Sequence, residues 1–206
     1  MVRRTKEEAQ ETRNRILDAA EQVFLERGVS RTSLNEIAAT AGVTRGAIYW
    51  HFQDKSDVFN AMMTRVTLPF EETMRRIDDP DTDPIDALRS GLQGAFARAV
   101  DNPQARRVFE IATYKVEYVE ETEAVRERHV THRAEKLEQF RRALARSAER
   151  GDLTLTAPVA VLADGLHALV SGLFQNWLLD PAAFNLSEVG TAAFDTFMTG
   201  LGYRHA

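Results

Sequence analysis

Residues 34–55 read LNEIAATAGVTRGAIYWHFQDK, and this stretch decides the fold of the chain. Ser33 and Glu36 have the spacing of a capping box, which predicts that a short helix begins there and that Gly42 ends it. Thr44 is a suitable N-cap for a second short helix. The stretch therefore predicts two short helices joined by a glycine turn.

These two helices have one apolar side and one polar side. The apolar side is formed by Ile37, Ala38, Ala41, Val43, Ile48 and Phe52. The polar and amphipathic residues on and beside the second helix are Thr44, Arg45, Tyr49, His51 and Lys55. Such donors beside a helix N-terminus suit DNA phosphates, and an arginine can also bind guanine O6 and N7 in a major groove. Taken alone, the polar pattern also fits a solvated helix face. Trp50 and Phe52 are expected to pack, with a half-exposed Trp50 as the alternative, and neither is expected to contact DNA.

Helical periodicity continues on both sides of this stretch, and strand signals are scarce. A first helix is indicated by apolar residues on one face: Ile16, Leu17, Ala20, Val23 and Phe24. Thr5 and Glu8 can open this helix as a capping box, and Gly28 can close it. Asp54 can cap a long connecting helix, in which Pro69 predicts a kink or an interruption near residues 65–69.

Five further helices are predicted after the connecting helix. They lie at residues 84–101, 103–118, 121–150, 157–179 and 186–203, with prolines between them. The chain is therefore predicted to be all-α, with about nine helices. We expect an N-terminal domain of three helices at residues 1–55 and a larger helical body at residues 56–206.

Composition narrows the class of protein. Hydrophobic residues make up 44% of the 206 residues, enough for a packed core. Residues 1–55 carry a net charge of +1 and residues 56–206 a net charge of −6, as in a phosphate-binding module joined to an acidic domain. Cysteine is absent, which excludes disulfides, a zinc ribbon and a thiol nucleophile. Without a signal sequence or a membrane-spanning run, we expect a cytoplasmic protein with no membrane role.

At residues 37–55, IAATAGVTRGAIYWHFQDK, the sequence resembles the helix-turn-helix of the TetR family of transcriptional repressors. Together with RRTKEEAQETR at residues 3–13 and EIATYKVEY at residues 110–118, it looks similar to the multidrug-efflux repressors of the AcrR type. The resemblance implies a homodimer that binds a near-palindromic double-stranded operator. It also implies release by a small hydrophobic inducer and control of an efflux-pump operon, with no catalytic residue, metal or cofactor.

The resemblance places the DNA contacts residue by residue. They fall on Ser33, Thr44, Arg45, Gly46, Tyr49, His51 and Lys55, with Gly46 letting the backbone approach the DNA closely. Arg4, together with Arg3, precedes the first helix and is expected to reach a minor groove as an arm. Disorder of that arm is the alternative.

The resemblance also implies a cavity in the helical body for a drug, a flavonoid or a similar flat molecule. The positions expected to face it are Leu92, Phe96, Phe109, Thr113, Phe140, His167, Val170, Ser171 and Phe174. An apolar pocket with few polar groups suits promiscuous binding, because it demands no single hydrogen-bond pattern.

The last two helices carry more apolar surface than one small body needs. The residues are Leu166, Leu169, Leu173, Trp177, Leu178, Phe194, Phe197, Met198 and Leu201. A four-helix dimer interface would cover them and would hold two recognition helices about one DNA turn apart, roughly 34–36 Å. We expect ligand binding to shift the body helices and to separate the heads beyond this spacing.

Other functions remain open at this point. A TetR-type regulator of a catabolic or biosynthetic operon would have the same sequence features, and activation is not excluded. A helical enzyme without a DNA role is a remote alternative, since GxSxG, P-loop and HExxH motifs are missing. His129 and His132 have a spacing that can bind a metal, but a solvated helix face is expected there. A sequence isoelectric point near 5.6 argues against a non-specific nucleoid protein.

Overall fold

The structure, a computed structural model, describes residues 6–119 and 122–203. Within these ranges the chain is helical and contains no strand. The nine α-helices there are α1 Lys6–Arg27, α2 Leu34–Thr40, α3 Arg45–His51, α4 Lys55–Met74, α5 Pro84–Asp101, α6 Pro103–Tyr114, α7 Glu123–Glu149, α8 Val159–Leu179 and α9 Leu186–Gly200. A short 3-10 helix, Arg75–Asp78, follows α4. The predicted all-α fold with about nine helices is confirmed.

The helices form two compact units. The first unit contains Met1–Val66 and Arg107–His129, and the second contains Thr67–Arg106 and Val130–Ala206. Helices α1, α2 and α3 pack on one another in the first unit, and α9 packs on α5 and α8 in the second. The functional division expected after residue 55 stays a prediction.

Local hydrogen bonds define the helix ends in the first unit. The hydroxyl of Ser33 accepts from the amide of Glu36, and the Glu36 carboxylate accepts from the amide of Ser33 at 2.8 Å. The hydroxyl of Thr44 accepts from the Ala47 amide, and the carboxylate of Asp54 accepts from the Asp57 amide. The predicted caps of α2, α3 and α4 are therefore confirmed. Thr5, proposed as the cap of α1, lies outside the described residues.

Two glycines make the turns of the first unit possible. Gly28, after α1, has φ of 84°, and Gly42, between α2 and α3, has φ of 64°. Side chains with a Cβ rarely adopt this left-handed region, which explains why both helices end at glycine. The turns bring a small core together: Ile16, Phe24, Ile37, Ile48 and Phe52 are all buried.

Helix α4 continues through Pro69 without a break. Of the predicted kink or interruption near residues 65–69, the interruption is therefore wrong, and the kink stays a prediction. A proline removes only one backbone hydrogen bond and leaves the flanking bonds intact. The apolar positions on either side, Val66 and Met74, are both buried, so packing supports each half of the helix.

Helix α6 ends at Tyr114, four residues before its predicted end. Within the first unit, the carbonyl oxygen of Lys115 accepts a hydrogen bond of 2.9 Å from the amide of Val29. The segment after Tyr114 therefore bonds to a distant turn instead of continuing as a helix. The remaining predicted ends of α7, α8 and α9 differ from the observed ends by no more than three residues.

Close packing of a large residue on a small one joins α5 to α9 in the second unit. A Cβ added to Gly190 would lie 2.5 Å from the ring of Phe96, so the ring occupies the space that a side chain would need. The guanidinium of Arg89 donates two hydrogen bonds of 2.7 Å to the carboxylate of Asp195. These contacts explain why α5 and α9 form one layer around Phe96 and Phe194, which are buried.

Candidate DNA-binding and ligand-binding residues

The outer face of α3 carries four of the predicted DNA contacts. Thr44, Arg45, Gly46 and Tyr49 are exposed there, while Ile48 on the opposite side is buried. The Arg45 guanidinium lies over the Tyr49 ring, 5.5 Å from its centroid, which orients both side chains. A Cβ at Gly46 would meet nothing closer than the Thr44 hydroxyl at 4.0 Å, so the chain itself does not require glycine here.

An open groove of about 450 Å³ brings together predicted phosphate contacts from three elements. Ser33 comes from the start of α2, Tyr49 from α3 and Lys55 from the start of α4. The ammonium of Lys55 donates to the carbonyl oxygen of Ser30 at 2.6 Å, which fixes the cation at the groove wall. An ammonium has three donor hydrogens, so this bond leaves it able to bind a phosphate oxygen as well.

The resemblance implies that the amide and the hydroxyl of Ser33 bind phosphate, but in the structure both donors are already bonded within the protein. The Ser33 amide and hydroxyl both donate to the carboxylate of Glu36, each at 2.8 Å. The hydrogen bond from the Ser33 amide, followed by the one from the Ser33 hydroxyl, lowers the pKa of Glu36 below its ordinary value. A phosphate contact by Ser33 would have to compete with this carboxylate.

Trp50 is exposed, and the expectation that it packs is wrong. Trp50 is 73% exposed, whereas Phe52, the other expected packing residue, is buried. The helical spacing explains the difference, because Ile48 and Phe52 are one turn apart on the inner face and Trp50 lies between them on the outer face. The Trp50 ring meets His51 edge-on at 4.5 Å, and His51 is half-buried. Arg4, with Arg3, lies outside the described residues.

A buried carboxylate connects three helices of the first unit. Glu21 of α1 is 2% exposed and is bonded to Arg65 of α4, while its other oxygen lies 3.7 Å from Arg107 of α6. Arg65 also pairs with Asp18 at 2.9 Å. Burial raises the pKa of Glu21 above its ordinary value, and the hydrogen bond and charge of Arg65 oppose this only in part. Sequence patterns did not indicate this network, because its partners are far apart in the chain.

We expect Glu21→Gln to change the pH dependence of stability. A carboxyl whose pKa is raised by folding holds its proton more tightly in the folded state. The free energy of unfolding therefore falls as the pH rises from the ordinary glutamate pKa through the raised one, and Gln at this position removes that fall. Urea unfolding between about pH 4 and pH 7 measures it. Glu26→Gln, an exposed change on the same helix, is the control, and parallel profiles for Glu21→Gln and the natural chain would contradict the expectation.

The second unit brings together most of the predicted ligand contacts. Leu92, Phe96 and Phe140 are buried, and the Phe96 and Phe174 ring centroids lie 5.3 Å apart. On α8, the Ser171 hydroxyl lies 3.4 Å from His167 Nδ1, and the His167 ring lies 6.3 Å from Phe140. Val170, on the same helix, is half-buried. Phe96, Phe140 and Phe174 therefore form an aromatic cluster, and His167 with Ser171 is the polar pair beside it. Phe109 and Thr113 lie on α6 in the first unit, where both are half-buried.

The surface left on α8 and α9 differs from the predicted one. Six of the nine residues expected at a dimer interface are buried within the chain: Leu166, Trp177, Leu178, Phe194, Met198 and Leu201. They pack the second unit itself, so their assignment to an interface is wrong. Leu169, Leu173 and Phe197 are only half-buried. The exposed stripe of α8 contains Val161, Gly165, Ala168 and Leu179.

His129 and His132, the pair whose spacing can bind a metal, contact neighbouring side chains of the protein. His132 Nδ1 lies 3.1 Å from the Glu135 carboxylate one turn along α7, and the His129 ring meets Tyr118 edge-on at 6.4 Å. Across residues 6–119 and 122–203, no group of three histidine, cysteine, aspartate or glutamate side chains is placed to hold a metal ion. No helix in the described part of the chain is long and apolar enough to cross a membrane.

Comparison with known proteins agrees with this arrangement. Residues 16–62 match the model of the family described as bacterial regulatory proteins, tetR family. Residues 83–203 match the C-terminal region of MAATS-type transcriptional repressors. The chain is 39% identical to the transcriptional repressor BepR of Brucella suis biovar 1 (strain 1330), over 97% of this chain and 96% of that protein.

Two solved structures are also similar to the chain. NalD, described as the secondary repressor of the MexAB-OprM multidrug efflux pump in Pseudomonas aeruginosa, is 37% identical with a TM-score of 0.85, over 95% of this chain and 98% of its own. SmeT, the repressor of the Stenotrophomonas maltophilia multidrug efflux pump SmeDEF, is 34% identical in its complex with triclosan. That match has a TM-score of 0.84 and covers 92% of this chain and 91% of SmeT. With both family models matched and the fold shared, the chain belongs to the tetR family of bacterial regulatory proteins.

Proposed function

We propose that this chain is a repressor that binds a near-palindromic operator as a homodimer, controls a multidrug efflux-pump operon and is released by a small hydrophobic ligand. The observation that carries the proposal is the convergence of Tyr49 and Lys55 on one groove beside the exposed face of α3. NalD and SmeT are described as repressors of efflux pumps, and this supports the choice of operon. No catalytic residue or cofactor has a part in this function.

In this function the protein groove at Ser33, Tyr49 and Lys55 binds the DNA backbone, and α3 enters the major groove of the DNA. Tyr49 and Lys55 donate to phosphate oxygens, with Ser33 and His51 beside them, and these contacts set the register of the helix. Thr44 and Arg45 then face base edges, where a guanidinium can bind guanine with two hydrogen bonds. Gly46 keeps the backbone close to the DNA, and the exposed Trp50 adds an apolar surface. Arg4 would extend the contact into a minor groove.

The ligand in this function binds to the aromatic cluster of the second unit. The rings of Phe96, Phe140 and Phe174 suit a flat apolar molecule, and His167 with Ser171 can bond one polar group of it. We propose Leu92 and Val170, which belong to the same unit, as further contacts; the assignment of Phe109 and Thr113 stays a prediction from the sequence. The complex of SmeT with triclosan supports a ligand that is aromatic and hydrophobic.

The homodimer in this function forms through α8 and α9. Val161, Ala168 and Leu179 expose apolar surface on one side of α8, and Gly165 and Gly172 allow a second helix to approach. Helices α8 and α9 of one subunit, together with α8 and α9 of the other, make a four-helix interface. Both half-sites of an operator can then be bound at once.

A reporter strain tests the proposal in cells. The DNA upstream of the gene for this chain drives a fluorescent protein, and the chain is supplied from a second plasmid. We expect the chain to lower the fluorescence and triclosan or a flavonoid to restore it. Phe174→Ala should still repress but should respond to a different set of compounds, because it alters the ligand site and not α3. Unchanged fluorescence with and without the chain would contradict the proposal.

Intrinsic fluorescence gives a second test, because the chain has only two tryptophans. Trp50 is exposed on α3, while Trp177 is 3% exposed. We expect operator DNA to change the emission and to protect it from acrylamide quenching. Trp50→Phe should abolish this response and Trp177→Phe should preserve it. A response that persists in Trp50→Phe and disappears in Trp177→Phe would contradict the placement of Trp50 and α3 against the DNA.

A further inference from the structure

The turn between α1 and α2 is held by the segment that follows α6. The amide of Val29 donates to the carbonyl oxygen of Lys115 at 2.9 Å, and the hydroxyl of Ser30 donates to the carboxylate of Glu117 at 2.8 Å. The guanidinium of Arg31 lies 3.8 Å from the other oxygen of Glu117. All five residues belong to the first unit. Glu117 therefore interacts with two consecutive residues of the turn.

The same turn forms part of the groove wall. Ser30 and Arg31 line the groove together with Tyr49 and Lys55, and the Lys55 ammonium donates to the Ser30 carbonyl. The Arg31 side chain is 72% exposed. A second cation thus stands beside Lys55, in the region where the proposed function puts a phosphate. Arg31 was not among the DNA contacts predicted from the sequence.

Glu117 is a weakly held competitor for that cation. Its side chain is 60% exposed, and ion pairs between exposed groups contribute little because water and salt screen them. A DNA phosphate can therefore displace the carboxylate from Arg31. The carboxylate stays tied to the turn through the hydroxyl of Ser30, so its negative charge remains close to the incoming phosphate and opposes it.

We propose that Arg31 is a further contact to the operator backbone and that Glu117 competes with the DNA phosphate for it, which sets operator affinity below its possible maximum. This inference rests on the proposed function, because it needs DNA in the groove. A phosphate contact carries no base preference, however, so it is also expected with non-specific DNA. In the DNA-free protein, the contact between Glu117 and Arg31 is an ordinary surface ion pair.

The salt dependence of DNA binding tests this inference. Full-length variants are titrated onto a fluorescent duplex from the upstream region and onto a scrambled duplex, between about 50 and 200 mM salt. Arg31→Ala should weaken binding to both duplexes and reduce the slope of log K against log salt by about 1.8, or ~0.9 for each subunit. Arg31→Lys should keep the slope, because it keeps the charge.

The role of Glu117 is tested by a double-variant cycle. Glu117→Gln should tighten binding by about two- to thirtyfold, as expected for two exposed pairs. It should tighten binding less when Arg31 is already alanine, because the carboxylate then no longer competes for the guanidinium and only its direct repulsion of the phosphate remains. Glu127→Gln makes the same charge change at an exposed position of α7 and should leave affinity nearly unchanged. Thermal melting of each variant shows whether it folds.

The outcomes separate this inference from the proposed function. An unchanged salt slope in Arg31→Ala, or equal tightening by Glu117→Gln and Glu127→Gln, would overturn the inference. Equal affinity of the natural chain for the upstream and scrambled duplexes would instead count against the proposed operator, while the salt slopes would still decide the role of Arg31.

Discussion

We expect Gly172→Glu to leave the protomer folded, to make it monomeric and to lower operator affinity by about 100-fold or more. Apart from its own stretch of helix, a Cβ at Gly172 would meet no described atom within 4 Å, so the protomer has room for the new side chain. In the proposed dimer, the same side chain would place a carboxylate against the partner helix without a counter-charge. Two linked DNA-binding modules gain about 10²–10⁴ in avidity, and a monomer loses this gain.

Gly94→Glu is the matched control for this variant. Gly94 also lies inside a helix of the second unit, and a Cβ added there would likewise meet no described atom within 4 Å beyond its own stretch of helix. The change in charge and in helix propensity is the same. Light scattering during size-exclusion chromatography should show a monomer for Gly172→Glu and a dimer for Gly94→Glu. Dimeric Gly172→Glu, or a monomer that binds the operator normally, would refute the proposed interface.

Arg45→Ala is expected to remove most of the preference for the operator. One arginine that binds guanine with two hydrogen bonds contributes about 1–3 kcal/mol of discrimination. Both subunits of the dimer lose it, so affinity for the operator should fall roughly 30-fold or more. The substitution also removes the stacking of the guanidinium on Tyr49. Fluorescence anisotropy with operator and scrambled duplexes measures the ratio of the two affinities.

Two further variants identify the cause of that loss. Arg75→Ala makes the same charge change at an exposed position of the 3-10 helix and should keep the operator preference. Arg45→Lys keeps the charge but cannot make the planar pair of hydrogen bonds, so it should keep scrambled-DNA binding and lose operator preference. If Arg45→Lys discriminates as well as the natural chain, Arg45 contacts only phosphate.

The features that the sequence predicts best depend on residues close together in the chain. The bonds of Ser33 with Glu36, of Thr44 with Ala47 and of Asp54 with Asp57 each span three residues. Capping patterns describe such short intervals, so the starts of α2, α3 and α4 were predictable. The polar face of α3 was predictable for the same reason, because helical spacing alone separates Arg45 and Tyr49 from the buried Ile48.

The features that were missed depend on contacts between distant residues. The early end of α6 involves the bond between Val29 and Lys115, which no local pattern contains. The pairing of Glu21 with Arg65 and Arg107 has the same long-range character. Periodicity identified the apolar residues of α8 and α9 but could not divide them between the inside of one chain and an exposed face. Pro69 shows the reverse case, in which tertiary packing maintains a helix that local preference disfavours.

A gel shift with the purified protein tests the central claim most directly. The probes are duplexes that tile the DNA flanking the gene for this chain, each with a scrambled duplex of equal length as competitor. We predict one specific complex, which Arg45→Ala fails to form and which triclosan, a flavonoid or another hydrophobic compound dissolves. Binding that is equal for every duplex, and that no compound changes, would contradict a ligand-released repressor.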